Sequence, residues 1–195
     1  YTITGLAAGT YNIIITVGSC PSNTLVQGLT DPSAPATPTI GASGPVTFCT
    51  GGSVTLTSSS ATGNQWSLNG TPIGGATNQT LIVNASGDYT VVVTSGGCTS
   101  SASIATTVTV NPIPATPTIA AGGPLTFCAG GSVTLTSSSA SGNQWSLSGT
   151  PIVGATNQTY AATATGDYTV IVTTGGCLSL ASVATTVTVN PLPAT

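Results

Sequence analysis

Through most of this chain apolar and polar positions alternate with a period of two. In Ser53-Val54-Thr55-Leu56-Thr57-Ser58, Val54 and Leu56 fall on one side and the hydroxyls on the other, as a half-buried antiparallel strand requires. Gln65-Trp66-Ser67-Leu68 likewise turns Trp66 and Leu68 inward, residues 79–84 and 88–94 read as further strands, and Ile104, Thr106, Val108 and Val110 share one face of the last. Turn-forming clusters separate these runs, notably Thr62-Gly63-Asn64, Asn69-Gly70-Thr71-Pro72 and Ser95-Gly96-Gly97. A strand within 38–48 and a short one near Pro72 complete a set of six or seven, close to the number in an immunoglobulin-like sandwich. No helical period competes.

The whole pattern occurs twice. Cys49, Trp66 and Cys98 recur 79 residues later as Cys128, Trp145 and Cys177. Residues 35–113 and 114–192 are therefore two copies of one repeat, 1–34 reads as the C-terminal part of a preceding β-repeat domain, and Pro193-Ala194-Thr195 reads as the start of a third copy. Such a chain is expected to be cut from a longer tandem protein. Asn111-Pro112-Ile113-Pro114 returns as Asn190-Pro191-Leu192-Pro193, with a looser echo in Asp31-Pro32-Ser33-Ala34-Pro35. Proline removes amide donors and fixes φ, so these linkers favour an extended path. The predicted fold class is all-β: tandem immunoglobulin-like sandwiches joined end to end by short Pro-rich linkers.

Charge removes most kinds of chemistry. The chain has no Lys, Arg or His, and its acids are Asp31, Asp88 and Asp167 alone. Nucleic-acid binding needs cations that displace phosphate counterions, and none exist here. Polybasic membrane attraction fails for the same reason, and no apolar run reaches the roughly 18–20 residues that would insert into a bilayer. Three isolated aspartates are a poor supply for general acid–base catalysis, so an enzyme is not expected. No cofactor or metal site is expected either, since calcium needs clustered carboxylates and zinc needs His or close cysteine pairs. Matches to the N-glycosylation pattern, such as Asn78-Gln79-Thr80, carry little weight in so Ser- and Thr-rich a chain. With 39% hydrophobic residues the chain should nevertheless fold.

A 79-residue sandwich has a thin core, and Trp66 and Trp145 are its expected centres. Tyr89 and Tyr168, in Gly-Asp-Tyr-Thr-Val, stand at the start of the sixth strand in immunoglobulin order. There a tyrosine hydroxyl can bond back to the backbone, or the ring can serve as an ordinary half-buried core residue. Sandwiches normally protect edge strands with charge, which this one lacks. Neutral Thr-rich edges therefore suggest lateral self-association into fibres, beside contacts with neighbouring repeats of the same chain.

The segments Pro45-Val46-Thr47-Phe48-Cys49-Thr50-Gly51-Gly52-Ser53, Asn64-Gln65-Trp66-Ser67, Ser86-Gly87-Asp88-Tyr89-Thr90-Val91 and Gly97-Cys98 resemble the Ig-like repeats of large Bacteroidota surface proteins, among them gliding-motility adhesins and type IX secretion cargo. The opening Ile3-Thr4-Gly5-Leu6-Ala7-Ala8-Gly9-Thr10-Tyr11, with Gly18-Ser19-Cys20, resembles the end of an SprB-type repeat, a companion module in such proteins. The resemblance implies a non-catalytic repeat of an extracellular adhesin stalk or filament that spaces a distal region from the cell. The alternative is a binding module whose repeats themselves contact carbohydrate or a neighbouring surface.

Two cysteines per repeat, without a zinc-like spacing, read as an oxidised and hence extracellular framework. The equal spacing of Cys49 to Cys98 and of Cys128 to Cys177 makes intra-repeat bridges the simplest scheme, with Cys20 paired upstream. Immunoglobulin order opposes it. Cys49 precedes the second strand and Cys98 follows the sixth, so about 20 Å of strand would separate thiols whose Cα atoms must approach to roughly 4.4–6.8 Å. Cys49 with Cys177, across the junction of the repeats, is the alternative.

Overall fold

The computed structural model describes residues 4–30 and 33–193, and every regular element among them is a strand. Ile3 of the SprB-like opening, Asp31-Pro32 of the first linker and Ala194-Thr195 of the third copy lie outside the described residues. The leading segment supplies β1 (Gly9–Ile13), β2 (Thr16–Val17), β3 (Cys20–Pro21) and β4 (Leu25–Leu29). The first repeat supplies β5 (Ile40–Ala42), β6 (Thr47–Cys49), β7 (Val54–Ser58), β8 (Asn64–Leu68), β9 (Thr71–Pro72), β10 (Thr80–Val83), β11 (Gly87–Ser95), β12 (Cys98–Thr99) and β13 (Thr106–Asn111). The second repeats them as β14 (Ile119–Ala121), β15 (Thr126–Cys128), β16 (Val133–Ser137), β17 (Asn143–Leu147), β18 (Thr150–Pro151), β19 (Thr159–Ala162), β20 (Gly166–Thr174), β21 (Cys177–Leu178) and β22 (Thr185–Asn190).

Two compact units emerge, Tyr1–Ser43 with Thr55–Leu81 and Asp88–Thr106, and Gly44–Val54 with Ile82–Gly87 and Thr107–Thr195. The second therefore contains the whole second repeat together with β6 and most of β13. Within that repeat one sheet has the order β14-β16-β19, and the other runs β15-β22-β20-β17-β18 with β21 folded back on β20. All pairings are antiparallel except β15 with β22, which run parallel with Cys128 opposite Asn190. The strand predicted within 38–48 is thus two short strands, β5 and β6, that join different sheets.

Alternation fills the core as expected. Leu135, Trp145, Val170 and Val187 are fully buried, with Val133, Ala162 and Tyr168 beside them and Phe127, Leu147 and Tyr160 packed against the cluster. Burying an indole requires a partner for its N–H, and Trp145 Nε1 donates to Asn157 O at 3.0 Å. Trp66 Nε1 donates in the same way to Asn78 O at 2.9 Å. Tyr168 takes both expected roles. Its ring is buried and lies 5.8 Å from that of Tyr160, while its hydroxyl donates to Ala164 O at 3.0 Å. Tyr89 is buried too, and burial pushes both phenols above their ordinary pKa.

Ile104 departs from the sequence pattern. It is 91% exposed, and β13 begins only at Thr106. The cause lies in two buried serines just upstream. Ser103 Oγ accepts from Val91 N at 3.1 Å and Ser100 Oγ from Val93 N at 3.0 Å, so hydroxyls stand in for the backbone carbonyls of a regular ladder. Ser182 and Ser179 do the same for Val170 and Val172. The chain runs beside the long strand without alternating, which leaves Val183 87% exposed, as Ile104 is.

The turn between β17 and β18 yields a stability prediction. Ser148 and Gly149 have φ of 48° and 82°, the paired positive values of a type I′ hairpin turn, which favours Asn-Gly. Asn69-Gly70 occupies that turn in the first repeat, and Asn69 Oδ1 also accepts from Asp88 N at 2.9 Å. Ser148→Asn is expected to stabilise the second repeat by about 0.5–1.5 kcal/mol, seen as a higher urea midpoint with an unchanged slope.

Candidate functional site

The aromatic residues predicted for the core are spent there and offer no surface to a ligand. Two shallow depressions recur at equivalent places, one of about 380 Å³ lined by Thr116, Pro117, Ile119 and Val183 among others, and one of about 420 Å³ lined by Thr37, Pro38, Ile40 and Ile104 among others. Neither has an ionisable lining residue. Among the described residues no three His, Cys, Asp or Glu side chains gather in a way that could hold a metal. The described residues do hold one disulfide.

That disulfide joins Cys49 to Cys177, with Cα atoms 5.7 Å apart. On one side, β6 lies parallel to β13 and sets Cys49 opposite Asn111. The turn after it is tied down, since Thr50 N and Thr50 Oγ1 both donate to Asn111 O, at 2.9 and 3.1 Å, and Gly52 N donates to Cys49 O at 2.9 Å. On the other side, Gly175 and Gly176 link β20 to β21 with φ of 58° and 81°, a type I′ turn that sets Cys177 opposite Thr174. The hairpin tip fits closely. Asn111 Nδ2 donates to Gly175 O at 2.7 Å, and a Cβ on Gly175 would stand 3.1 Å from that same nitrogen. Glycine is needed here both for its φ and for the approach. The Cys49 sulfur lies 3.9 Å from Gly176 O, a packing contact because a disulfide sulfur has no proton to donate. Cys177 is buried and Cys49 half-buried.

The intra-repeat scheme, Cys49 with Cys98 and Cys128 with Cys177, is thereby corrected. In the second repeat Cys128 lies beside Asn190 at the far end of β22, whereas Gly166 at the start of β20 faces Val187. Cys177 follows the other end of that nine-residue strand. Eight steps of strand place the two cysteines about 25 Å apart, so no bond can form. Cys128 is an exposed thiol, Cys20 is an exposed thiol on the β2–β3 hairpin, and Cys98 sits half-buried at the hairpin position equivalent to Cys177.

Sequence reasoning did not single out Asn111 or the Gly-Gly tip as parts of this seat. It also passed over a likeness in the leading segment. Tyr11 precedes Cys20 by nine residues, as Tyr89 precedes Cys98 and Tyr168 precedes Cys177. Tyr11 hydroxyl donates to Ala7 O at 2.7 Å, four residues back, as Tyr168 does to Ala164.

Residues 35–112 match the family model described as "Ig-like domain CHU_C associated". No curated protein matches the chain. Among solved structures, the chain is similar to one described as a mouse coronavirus receptor-binding domain complexed with its murine receptor, with 16% identity, a TM-score of 0.53, and coverage of 78% of this chain and 99% of the other. The human OSCAR ligand-binding domain matches with 16% identity, a TM-score of 0.33, and coverage of 79% and 99%. At such identity the first likeness speaks to fold alone. The sheet order of the second repeat, a three-stranded sheet facing one built on the central β22-β20-β17 trio, is that of an immunoglobulin sandwich. The chain is a tandem of Ig-like β-sandwich domains, and its first repeat matches the CHU_C-associated kind.

Proposed function

We propose that this chain is a non-catalytic structural segment of an extracellular surface protein, an adhesin stalk or filament in which the repeats space a distal functional region from the cell. The observation that carries the reading is the Cys49–Cys177 bond, which ties the first repeat to the second rather than closing either on itself. A disulfide fits an oxidising, extracellular compartment. A bond between repeats serves a protein whose task is to stay connected under load. The rest of the chemistry agrees: aromatic side chains that a sugar-binding face would present are used in the cores, and the depressions lack ionisable groups. The absence of Lys and Arg leaves no site for trypsin-like proteases, which suits an exposed appendage. Lateral association of copies through neutral strand edges, and secretion by the type IX route, belong to the same proposal.

Immunogold electron microscopy of intact source cells, with an antibody to the repeat, tests it. Label running along projections from the cell is the expected result. Label confined to a flat coat or to the medium would overturn the spacer role.

A further inference from the structure

The two depressions that recur on the sandwiches each carry an exposed aliphatic side chain. Ile104 shares one with Pro38 and Ile40 and is 91% exposed; 79 residues on, Val183 shares the other with Pro117 and Ile119 and is 87% exposed. Neither exposure comes from where the chain stops. A complete repeat follows Ile104 and a complete repeat precedes Val183, yet both stay exposed. The backbone beside Val183 is open as well. In the second repeat β15 pairs with residues 188–190 alone, so residues 185–187 of β22 have no strand on that side among the described residues, and β6 likewise reaches only residues 109–111 of β13. The acid of the second repeat, Asp167, lies one strand inward on β20, and its carboxylate accepts from Thr186 Oγ1 at 2.6 Å. An uncovered sheet edge that bears an aliphatic side chain, with no charge to guard it, is a surface suited to pairing with another.

We propose that these two depressions, at Ile104 and at Val183, form the lateral contact between copies of this chain, and that a second copy covers them with the same face. Their size argues for that occupant. Seven residues line each depression, against roughly 20–30 per side in a stable interface, so one depression alone holds no partner firmly. Two of them 79 residues apart are engaged together only by a partner that offers matching surfaces at the same interval, and a second copy carries that interval in its own sequence. Once one pair has met, the next forms at high effective concentration, and affinity rises with each further repeat engaged. Charge is compatible with the contact, since no lining residue is ionisable and each copy carries a formal charge of only −3. This contact gives the lateral association proposed above its surface, and so rests on that part of the reading and not on the spacer role.

The 195-residue chain, with its Cys49–Cys177 bond intact and the exposed thiols of Cys20 and Cys128 alkylated so that no disulfide links copies, is followed by sedimentation equilibrium. Concentrations from about 10 μM to 1 mM suit a weak contact. The expected result is reversible association that Ile104→Thr and Val183→Thr each weaken by about 3–10-fold, and that the double variant weakens by about 10–100-fold. Both side chains are exposed, so the variants keep the wild-type urea midpoint. Amide shifts of the isotope-labelled wild type over the same concentrations locate the contact without any substitution, and are expected to move at residues 37–40, 104–106, 116–119 and 183–185. Association that the double variant leaves unchanged, or shifts confined to other strand edges or to the ends of the sandwiches, would overturn this contact while lateral association stands. A chain still monomeric at the highest concentration would overturn both, and the spacer role would still be decided by the labelling of cells.

Discussion

Trp145→Ala is expected to destabilise the second repeat by about 3–5 kcal/mol, a loss that a domain of this size barely survives. The side chain is fully buried within the cluster formed by Leu135, Val170 and Val187, and its ring centroid is 6.0 Å from that of Tyr160. Truncation removes both the apolar contact and the donor to Asn157 O, 3.0 Å away. Trp145→Phe separates the two contributions. It keeps most of the apolar burial, drops the hydrogen bond and is expected to cost roughly 1–3 kcal/mol. Urea unfolding followed through Trp66, which remains as reporter in the other repeat, together with circular dichroism for the whole chain, would show a low-denaturant transition in the Ala variant. If that variant unfolds with the wild-type profile, the assignment of Trp145 as the core of the second sandwich is wrong.

Cys49→Ser is expected to have an effect of similar size by a different route. The bond closes a sequence separation of 128 residues, for which the loss of loop-closure entropy in the unfolded chain amounts to about 5 kcal/mol on the chain-entropy scale, with 2–5 kcal/mol the usual cost of removing a native disulfide. Cys49 is the better position for the change than Cys177, because it is half-buried and a serine hydroxyl there reaches water, whereas Cys177 is fully buried. The discriminating measurement is the urea midpoint with and without reductant. Wild type should fall to the level of Cys49→Ser on reduction, and the variant should be insensitive to it. Cys98→Ser and Cys128→Ser should keep the wild-type midpoint and the full response to reductant; a collapse in either would implicate an intra-repeat bond.

Much of the fold is written in the chain because two signals reinforce one another. Val54, Leu56 and Trp66 alternate with polar residues at a period that only a half-buried strand satisfies, and the same pattern 79 residues on shows which features belong to the repeat. What stays hidden depends on side chains that act as backbone. Ser100, Ser103, Ser179 and Ser182 look like loop residues in a Ser-rich chain, yet their buried hydroxyls accept strand amides and keep Ile104 and Val183 out of the core. The disulfide lies between these cases. Equal cysteine spacing favours the wrong pairing, while strand order and an interatomic limit of several Å exclude it. Distance along a strand is legible from sequence and leaves Cys49 with Cys177 as the alternative, which is the bond that forms; the seat around it is not legible, because Asn111 and Gly175 are 64 residues apart and belong to different repeats.

The Cys49–Cys177 bond also sets a path for tension. A pull applied upstream of Cys49 and downstream of Cys177 passes through one sulfur–sulfur bond, and the 128-residue span between them carries none of it. Trp66 and Trp145, with the strands that hold them, both lie inside that shielded span. At about 3.3–3.6 Å per residue it withholds roughly 420–460 Å of contour length. Extensibility in this chain is therefore gated by thiol chemistry: oxidised, it yields only its flanks to force, and reduced, it releases the hidden length to be drawn out strand by strand.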